Sequence, residues 1–308
     1  MREIQEKFPG ILQDEPLRKY CTFLIGGPAD YFYKAKTTKE LSEILQFAHK
    51  KGINYFIMGG GSNILFDDKG FRGLVIKNEA SQISIKGTSV TADSGVIMAK
   101  LLIKTLENRL SGLEKWVGLP GTVGGAVRGN AGCNGLETSE ILKSATLFDP
   151  KTGEVKEVKN SYFNYSYRYS KLKETNEIVL NATFKLKKST ISLEEQKKIM
   201  AEITQFRLSA QPFGLSSGSF FKNPVQDKPA GFLIDQAGLK GKTIGKAQIS
   251  EKHGNFFLNL GGATASDLIE LAKLAKAAVK SQFDLELEEE VQILNQNGPI
   301  KLENGNIA

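Results

Sequence analysis

The chain has 308 residues, with 41 lysines and arginines against 34 acidic residues, a net charge of +7, and 31 glycines but only two cysteines and two histidines. So few cysteines and histidines exclude an iron–sulfur cluster, a four-cysteine zinc site and a disulfide framework, so we predict no metal site and expect any redox chemistry to use an organic cofactor. The scattered arginines, the absence of ~18 consecutive apolar residues and the N-terminal MREIQEKFPG predict a cytoplasmic protein without nucleic-acid or membrane partners.

The first half of the chain combines helices, strands and two glycine-rich segments. Helical spacing of apolar residues predicts a helix over Thr38–Lys51, and the apolar run Ile53–Met58 predicts a strand that ends at the first glycine-rich segment. Ser81–Ser94 alternates like a hairpin, and Val96–Asn108 has the pattern of an amphipathic helix. The second glycine-rich segment, Gly118–Gly135, shows little regular pattern and is predicted as a loop.

The second half begins with a mainly extended stretch over 141–188 and a helix at Leu193–Arg207. After a polar loop, the patterns predict a helix, a strand, a long helix and a closing strand at Pro229–Ala237, Gly254–Asn259, Ser266–Phe283 and Leu285–Leu294. Because the strands and helices follow no regular βαβ repeat, the predicted class is α+β. Candidate domain boundaries lie near Ile76–Ala80 and Lys188–Ser192.

The two glycine-rich segments are candidate phosphate-binding loops. Backbone N–H groups after the strand that ends at Met58 could cradle phosphate oxygens, although Ile64 breaks the G-x-G-x-x-G pattern and a tight structural turn is an equal alternative. The many glycines of Gly118–Gly135 carry an entropic cost that close approach to a flat or phosphorylated ligand would explain. Two such loops favour a ligand with two ends, such as a dinucleotide.

Arg168 and Ser219 are candidate site residues with plain structural alternatives. Arg168 lies among the aromatic residues of Tyr165–Ser170, where a guanidinium could face a carboxylate or simply make cation–π contacts on a surface strand. Ser219 lacks a G-x-S-x-G elbow, so a hydrolase triad is weakly supported and a turn serine is the alternative.

The acidic run near the C-terminus contains a third candidate. If Leu285–Leu294 is a strand, Glu289 falls on its apolar face and Glu290 on the other. An acidic residue on an apolar face is paired, functional or at a bulge, so period counting nominates Glu289.

Nine motifs occur in order along nearly the whole chain: TFLIGGPAD from 22, GGGSNIL from 59, GLPGTVGGA from 118, NAG from 130, YRYS from 167, GSFFKNP from 218, AGFLIDQAGLKG from 230, HGNF from 253 and LEEEV from 287. Together they resemble those of the UDP-N-acetylenolpyruvoylglucosamine reductases, also called UDP-N-acetylmuramate dehydrogenases. The interval from Lys188 to Arg207 has no room for an extra tyrosine-bearing loop, so the chain is similar to the subgroup that lacks it.

The resemblance implies an α+β fold, with a two-subdomain FAD-binding domain of the vanillyl-alcohol-oxidase-like type and a smaller α+β substrate-binding domain. The corresponding boundaries are 1–78 for the first FAD-binding subdomain, 79–190 for the second and 191–284 for the substrate-binding domain. A C-terminal strand within 285–308 is expected to return to the first subdomain.

The resemblance also implies an activity, in which non-covalent FAD carries hydride from the co-substrate NADPH to the enolpyruvyl group of UDP-N-acetylglucosamine enolpyruvate. The product is UDP-N-acetylmuramate, a peptidoglycan precursor, and the expected protein is a monomer that binds the UDP-sugar and NADPH. Ser219 is implied as the proton donor, and Arg168 and Glu290 as the groups that stabilise the reacting carboxylate. The family pattern thus selects Glu290 over Glu289, a difference that a bulge would reconcile.

The remaining implied site residues fall into two sets. The cofactor-binding set is Gly59, Gly60, Gly61, Ser62, Asn63, Ile64, Pro120, Gly121, Thr122, Gly124, Gly125, Asn130, Ala131 and Gly132. The substrate-binding set is Tyr167, Lys222, Asn223, Gln236, His253 and Asn255. Two alternatives stay open, an FAD-dependent sugar or alcohol oxidase on the same scaffold and a non-catalytic nucleotide-binding module.

Overall fold

A computed structural model describes residues 2–225 and 227–302. The chain divides into two compact units, each built from separate stretches: unit 1 comprises 1–12, 32–60 and 75–207, and unit 2 comprises 13–31, 61–74 and 208–308. The three-part division implied by the resemblance stays a prediction.

The described residues combine helices and strands along the whole chain. The α-helices are α1 Arg2–Lys7, α2 Thr38–Lys51, α3 Met98–Glu107, α4 Val123–Gly129, α5 Thr138–Ile141, α6 Leu172–Thr175, α7 Leu193–Ala210, α8 Ala230–Gln236 and α9 Ala265–Phe283. The strands are β1 Leu12–Pro16, β2 Pro28–Ala35, β3 Tyr55–Met58, β4 Ile64–Phe66, β5 Phe71–Asn78, β6 Ile83–Lys86, β7 Ser89–Asp93, β8 Leu110–Ser111, β9 Gly132–Cys133, β10 Leu136–Glu137, β11 Leu142–Phe148, β12 Val155–Lys159, β13 Ile178–Lys185, β14 Lys187–Lys188, β15 Thr243–Ile244, β16 Ala247–Ile249, β17 Phe257–Asn259, β18 Gln292–Asn295 and β19 Gly298–Ile300. Short 3₁₀ turns lie at Leu17–Tyr20, Glu114–Trp116 and Asn160–Phe163.

The core of unit 1 is a five-stranded antiparallel sheet with the order β12-β11-β13-β7-β6. The apolar face of α3 and the buried side of α4 pack in one hydrophobic cluster with this sheet, around the buried Trp116 and Phe184. In a further sheet, β1, β2, β5 and β3 are neighbours in that order. The five-stranded sheet and these helices of unit 1 therefore share one hydrophobic core.

In unit 2, the small antiparallel sheet β15-β16-β17 packs against α9, whose buried face includes Leu268 and Leu271. A second sheet has the order β19-β18-β4, with β18 parallel to β4. Residues 292–294 thus pair with residues 64–66, at the end of the first glycine-rich motif. Among the described residues, no helix combines the length and apolar character needed to cross a bilayer.

Two sequence-based predictions of local structure were wrong. The predicted loop Gly118–Gly135 contains α4, because its glycines allow a close approach that a pattern search does not detect: a Cβ on Gly124 would lie 3.0 Å from the Ser94 Cβ. The predicted strand Leu285–Leu294 is a strand only from Gln292, and before it only Glu289 makes an isolated bridge. The other predicted helices and the hairpin are present, with bounds shifted by a few residues.

Candidate active site

The two glycine-rich segments meet in unit 1. A Cβ on Gly59 would lie 2.3 Å from the Thr122 Oγ1, and a Cβ on Gly60 would lie 3.5 Å from the Gly121 Cα. Only glycine allows β3 to end this close to the first residue before α4. The segments predicted as two phosphate-binding loops therefore form one backbone surface.

The segment between β7 and α3 adds a third edge to this surface. The N–H of Gly124 donates to the Ser94 carbonyl over 2.8 Å, and the N–H of Met98 donates to the Gly121 carbonyl over 3.1 Å. Ile97 forms an isolated antiparallel bridge with Thr122, yet its apolar side chain is 58% exposed. Sequence reasoning missed Ile97, since nothing in the pattern of α3 distinguishes it from its buried neighbours.

The remaining part of the first glycine-rich segment lies in unit 2. Gly61 has a φ of +66°, and a Cβ there would lie 2.0 Å from the Tyr20 carbonyl oxygen, so the position requires glycine. Its own carbonyl accepts the N–H of Thr22 over 3.1 Å. Next to it, the Asn63 side chain donates to the Glu290 carbonyl over 2.9 Å. Three motifs that are distant in sequence thus contact each other here.

This arrangement fits the backbone requirements of a dinucleotide such as FAD. A pyrophosphate needs closely approaching main chain with no intervening side-chain atoms, and the conformations at Gly59, Gly60 and Gly121 provide it. Pro120 and Gly125 are exposed beside these glycines, whereas Ile64 is buried in β4 and Ser62 and Ala131 are half-buried.

Asn130 connects the second glycine-rich segment to the turn that carries Arg168. It is fully buried with a φ of +46°, and its side chain donates to the Glu137 carboxylate over 2.8 Å and to the Ser166 carbonyl over 3.0 Å. Its Oδ1 accepts the N–H of Ser139 over 3.0 Å. These contacts make Asn130 a structural support for the Arg168 turn.

Arg168 occupies a tight turn, in which the N–H of Tyr169 donates to the Ser166 carbonyl over 3.0 Å. Its φ of +54° lies in the left-handed region, which is uncommon for a residue other than glycine. The guanidinium lies 5.3 Å from the Tyr167 ring centroid, so the cation–π contact foreseen as the plain alternative is present. A Cβ on Gly132 would nevertheless lie 3.2 Å from Arg168 Nη1, which places the guanidinium beside the candidate cofactor loop.

Ser219 lies in unit 2 on a well-supported loop. It forms an isolated bridge with Phe256, and the next two residues, Phe220 and Phe221, are buried against Phe257. The Asn255 side chain accepts the N–H of Phe221 over 2.9 Å and donates to its carbonyl over 2.8 Å. Asn255 therefore fixes the backbone that follows Ser219.

Glu290 is brought next to Ser219 by the backbone. The Phe220 carbonyl accepts the N–H of Glu290 over 2.8 Å and, less directly, that of Val291 over 3.3 Å. Two successive donors opposite one carbonyl are the signature of a bulge, and the choice of Glu290 over Glu289 as the site residue stays a prediction. Glu289 is accounted for separately, because its carboxylate forms an ion pair with the buried Lys276.

The other predicted substrate-binding residues of unit 2 lie along or near α8. Lys222 pairs with Glu288 over 2.7 Å, and the Asn223 Oδ1 accepts the N–H of Ala230 at the start of the helix. Burial lowers the pKa of His253, and its Nδ1 accepts the N–H of Asn255 over 3.1 Å. Gln236 is exposed at the C-terminal end of the same helix.

Comparison with known proteins relates both parts of the chain to one enzyme family. Residues 29–159 match the model of an FAD binding domain, and residues 211–294 match that of the UDP-N-acetylenolpyruvoylglucosamine reductase C-terminal domain. The reductase of Listeria monocytogenes is 41% identical over 304 residues, which is 96% of this chain and 100% of that protein. The reductase of Carboxydothermus hydrogenoformans is 38% identical over 292 residues, covering 93% of this chain and 94% of that protein.

A solved structure gives the same relationship. The crystal structure of the reductase from Thermus caldophilus superimposes with a TM-score of 0.77 at 34% identity, covering 92% of this chain and 97% of that chain. The predicted class, a mixed helix and strand protein with an FAD-binding domain and an additional C-terminal domain, is confirmed. The alternative of a sugar or alcohol oxidase is not favoured. The chain belongs to the UDP-N-acetylenolpyruvoylglucosamine reductase family.

Proposed function

We propose that this protein reduces the enolpyruvyl group of UDP-N-acetylglucosamine enolpyruvate to UDP-N-acetylmuramate, with NADPH as the electron donor, in the synthesis of peptidoglycan precursors. The observation that carries the proposal is the backbone contact between Phe220 and Glu290. It sets two of the three residues implied by the family, Ser219 and Glu290, on adjoining segments. Full-length similarity to reductases of this name supports the substrate assignment.

The glycine-rich surface would hold the cofactor. Gly59, Gly60 and Gly121 offer bare backbone to its pyrophosphate, and the exposed Ile97 adds an apolar contact beside Thr122. When bound, FAD supplies the hydride-carrying group between NADPH and the substrate.

The chemistry of the enolpyruvyl group accounts for the roles proposed for Arg168, Ser219 and Glu290. Hydride addition at C3 leaves negative charge shared between C2 and the carboxylate, which requires electrostatic stabilisation and a proton at C2. In this proposal the Arg168 guanidinium polarises the carboxylate and Glu290 helps to stabilise the charge. The Ser219 hydroxyl delivers its proton to C2, which completes the saturated lactyl group.

We further propose that the UDP-sugar contacts six residues implied by the resemblance. They are Tyr167, Lys222, Asn223, Gln236, His253 and Asn255. The Asn255 side chain also holds the Phe221 backbone through two hydrogen bonds. The protein is proposed to act as a cytoplasmic monomer without nucleic-acid or membrane partners, with the FAD-binding subdomains at 1–78 and 79–190 and the substrate-binding domain at 191–284.

The proposed function is tested by measuring the two half-reactions of the flavin separately. Ser219→Ala should leave flavin reduction by NADPH within about twofold of wild type, because NADPH oxidation needs no proton at C2. Reoxidation by the enolpyruvyl nucleotide should slow by roughly two orders of magnitude or more, as expected for loss of a general acid. Stopped-flow absorbance under anaerobic conditions measures both rates.

Ser216→Ala is the matched control, since it removes a hydroxyl from the same loop at a position whose Oγ accepts a long hydrogen bond of 3.5 Å from the Gly218 N–H. It should leave both rates unchanged. Equal slowing of the two half-reactions by Ser219→Ala would contradict the proton-donor role. A wild-type enzyme whose reduced flavin is not reoxidised by the nucleotide would refute the substrate assignment.

A further inference from the structure

A buried ion pair lies directly behind the candidate residue Glu290. Lys276 on α9 and Glu289 have side chains only 6% and 7% exposed, with 2.5 Å between Nζ and Oε1. The same ammonium donates to the Leu302 carbonyl over 3.0 Å. Burying two charges costs desolvation that an apolar pair avoids, so such a pair is a weak source of stability and a strong geometric constraint.

The backbone around Glu289 is not held in place by a regular strand. Residues 284–291 form no continuous strand, and Glu289 makes only an isolated bridge with Phe221. On either side, the N–H of Lys222 donates to the Glu288 carbonyl over 2.9 Å and the N–H of Glu290 donates to the Phe220 carbonyl over 2.8 Å. The segment that carries Glu290 and the loop that carries Ser219 are thus joined through a few point contacts centred on Glu289.

The two neighbouring glutamates, Glu289 and Glu290, are held by different contacts. The Glu289 carboxylate is held by Lys276 on α9, whereas the Glu290 N–H is held by the Phe220 carbonyl on the Ser219 loop. The Glu290 carbonyl is held in turn by the Asn63 side chain. A shift of Glu289 would therefore change the position of Glu290 and, through Phe221, that of the Ser219 loop.

We propose that Lys276 and Glu289 are positioning residues for the reaction. They hold Glu290 and the Ser219 loop in a fixed position relative to each other without touching substrate. This inference rests on the proposed function. It assigns the acidic residue nominated by strand counting to a positioning role and leaves the chemistry to its neighbour.

The test uses the FAD-loaded full-length chain with Lys276→Met, Glu289→Gln and the double substitution Lys276→Met/Glu289→Met. Flavin reduction by NADPH should stay within about twofold of wild type in all three. Reoxidation by the enolpyruvyl nucleotide should slow by about 10- to 100-fold, the range expected when reacting groups are displaced by up to an ångström. The double variant keeps the proposal testable if a single substitution fails to fold, because an apolar pair of similar volume carries no unpaired buried charge.

Hydrogen exchange supplies a readout independent of turnover. Amides of 286–291 and 219–222 should exchange faster in the variants, while those of α9 keep wild-type protection. Lys280→Met is the matched control on the same helix, where the ion pairs are exposed, and it should change neither exchange nor rate.

Each outcome is decisive. Variants that fold and reoxidise flavin at the wild-type rate, or that lose stability across all of α9 without a selective loss of reoxidation, would overturn the positioning role. Failure of the proposed function itself is distinguishable, because the wild-type flavin would then not be reoxidised by the nucleotide at all.

Discussion

The contact between the two glycine-rich segments yields a sharp steric prediction. Gly59→Ala introduces a methyl group 2.3 Å from Thr122 Oγ1, 3.0 Å from its Cγ2 and 3.2 Å from its Cβ. The first distance is far inside van der Waals contact, and Thr122 is 6% exposed, so it has little room to move away. We expect the substitution to separate the segments and to weaken FAD binding.

The size of the effect follows from the crowding. Forcing one extra methyl group into a well-packed site costs about 1–3 kcal/mol. If this cost is present only in the FAD-bound state, the dissociation constant for FAD rises roughly 5- to 150-fold. Thr122→Ala removes the two closest atoms, and the third, the residue's Cβ at 3.2 Å, is accommodated by small shifts. The double variant Gly59→Ala/Thr122→Ala should therefore bind FAD more tightly than Gly59→Ala alone, with a coupling energy of about 0.5–3 kcal/mol.

The assay is titration of the apoprotein with FAD, followed by flavin fluorescence, together with thermal unfolding of the apoprotein. Gly129→Ala is the control within the same segment, because nothing lies within 4 Å of a Cβ there and α4 should be stabilised slightly. The reasoning is refuted if Gly59→Ala matches wild type in both measurements. It is equally refuted if Thr122→Ala fails to restore any of the loss.

Two further predictions concern stability. Asn255→Ala leaves the buried N–H and carbonyl of Phe221 without their side-chain partner. We expect the free energy of unfolding, measured in urea, to fall by about 2–5 kcal/mol, and a change below about 0.5 kcal/mol would contradict this. Burial opposes ionisation of Glu177, but hydrogen bonds from Lys156, Thr175 and Tyr162 outweigh it and hold its pKa below the ordinary value. The ionised carboxylate thus adds stability that is present above the ordinary pKa and is lost as pH falls through the lowered pKa. The difference in Tm between wild type and Glu177→Gln should therefore shrink from pH 7 towards pH 3. A difference in Tm that stays constant over this range would contradict the prediction.

Local signals determined much of the secondary structure. The spacing of apolar residues predicted the helix over Thr38–Lys51 with the bounds it has. In the structure, the Thr37 side chain accepts the N–H of Glu40 at its start, and Gly52, with a φ of 62°, ends it. The hairpin of β6 and β7 was equally evident from alternation around Gly87. Such features depend on neighbours within a few residues, so the sequence contains what is needed to find them.

The candidate site was predicted only in part, since its geometry depends on distant contacts. The glycine-rich segments were recognised by composition, but that Gly59 meets Thr122 follows only from the packing of β3 against the start of α4. Ile97 was missed because its exposure beside Thr122 has no signature in the amphipathic pattern of α3.

By itself, the sequence determined the chemistry available to this protein: a scarcity of cysteine and histidine that requires an organic cofactor, and ordered motifs that indicate its family. Only the tertiary structure decided what each of the two neighbouring glutamates contacts. Periodicity placed Glu289 on an apolar face, and the structure shows why, since the carboxylate is buried against Lys276. It also shows that Glu290 adjoins the Ser219 loop because Phe220, distant in sequence, accepts its N–H. Alternation along a strand predicts which face a side chain lies on. The residue that it contacts on that face is determined by packing between segments that are distant in sequence.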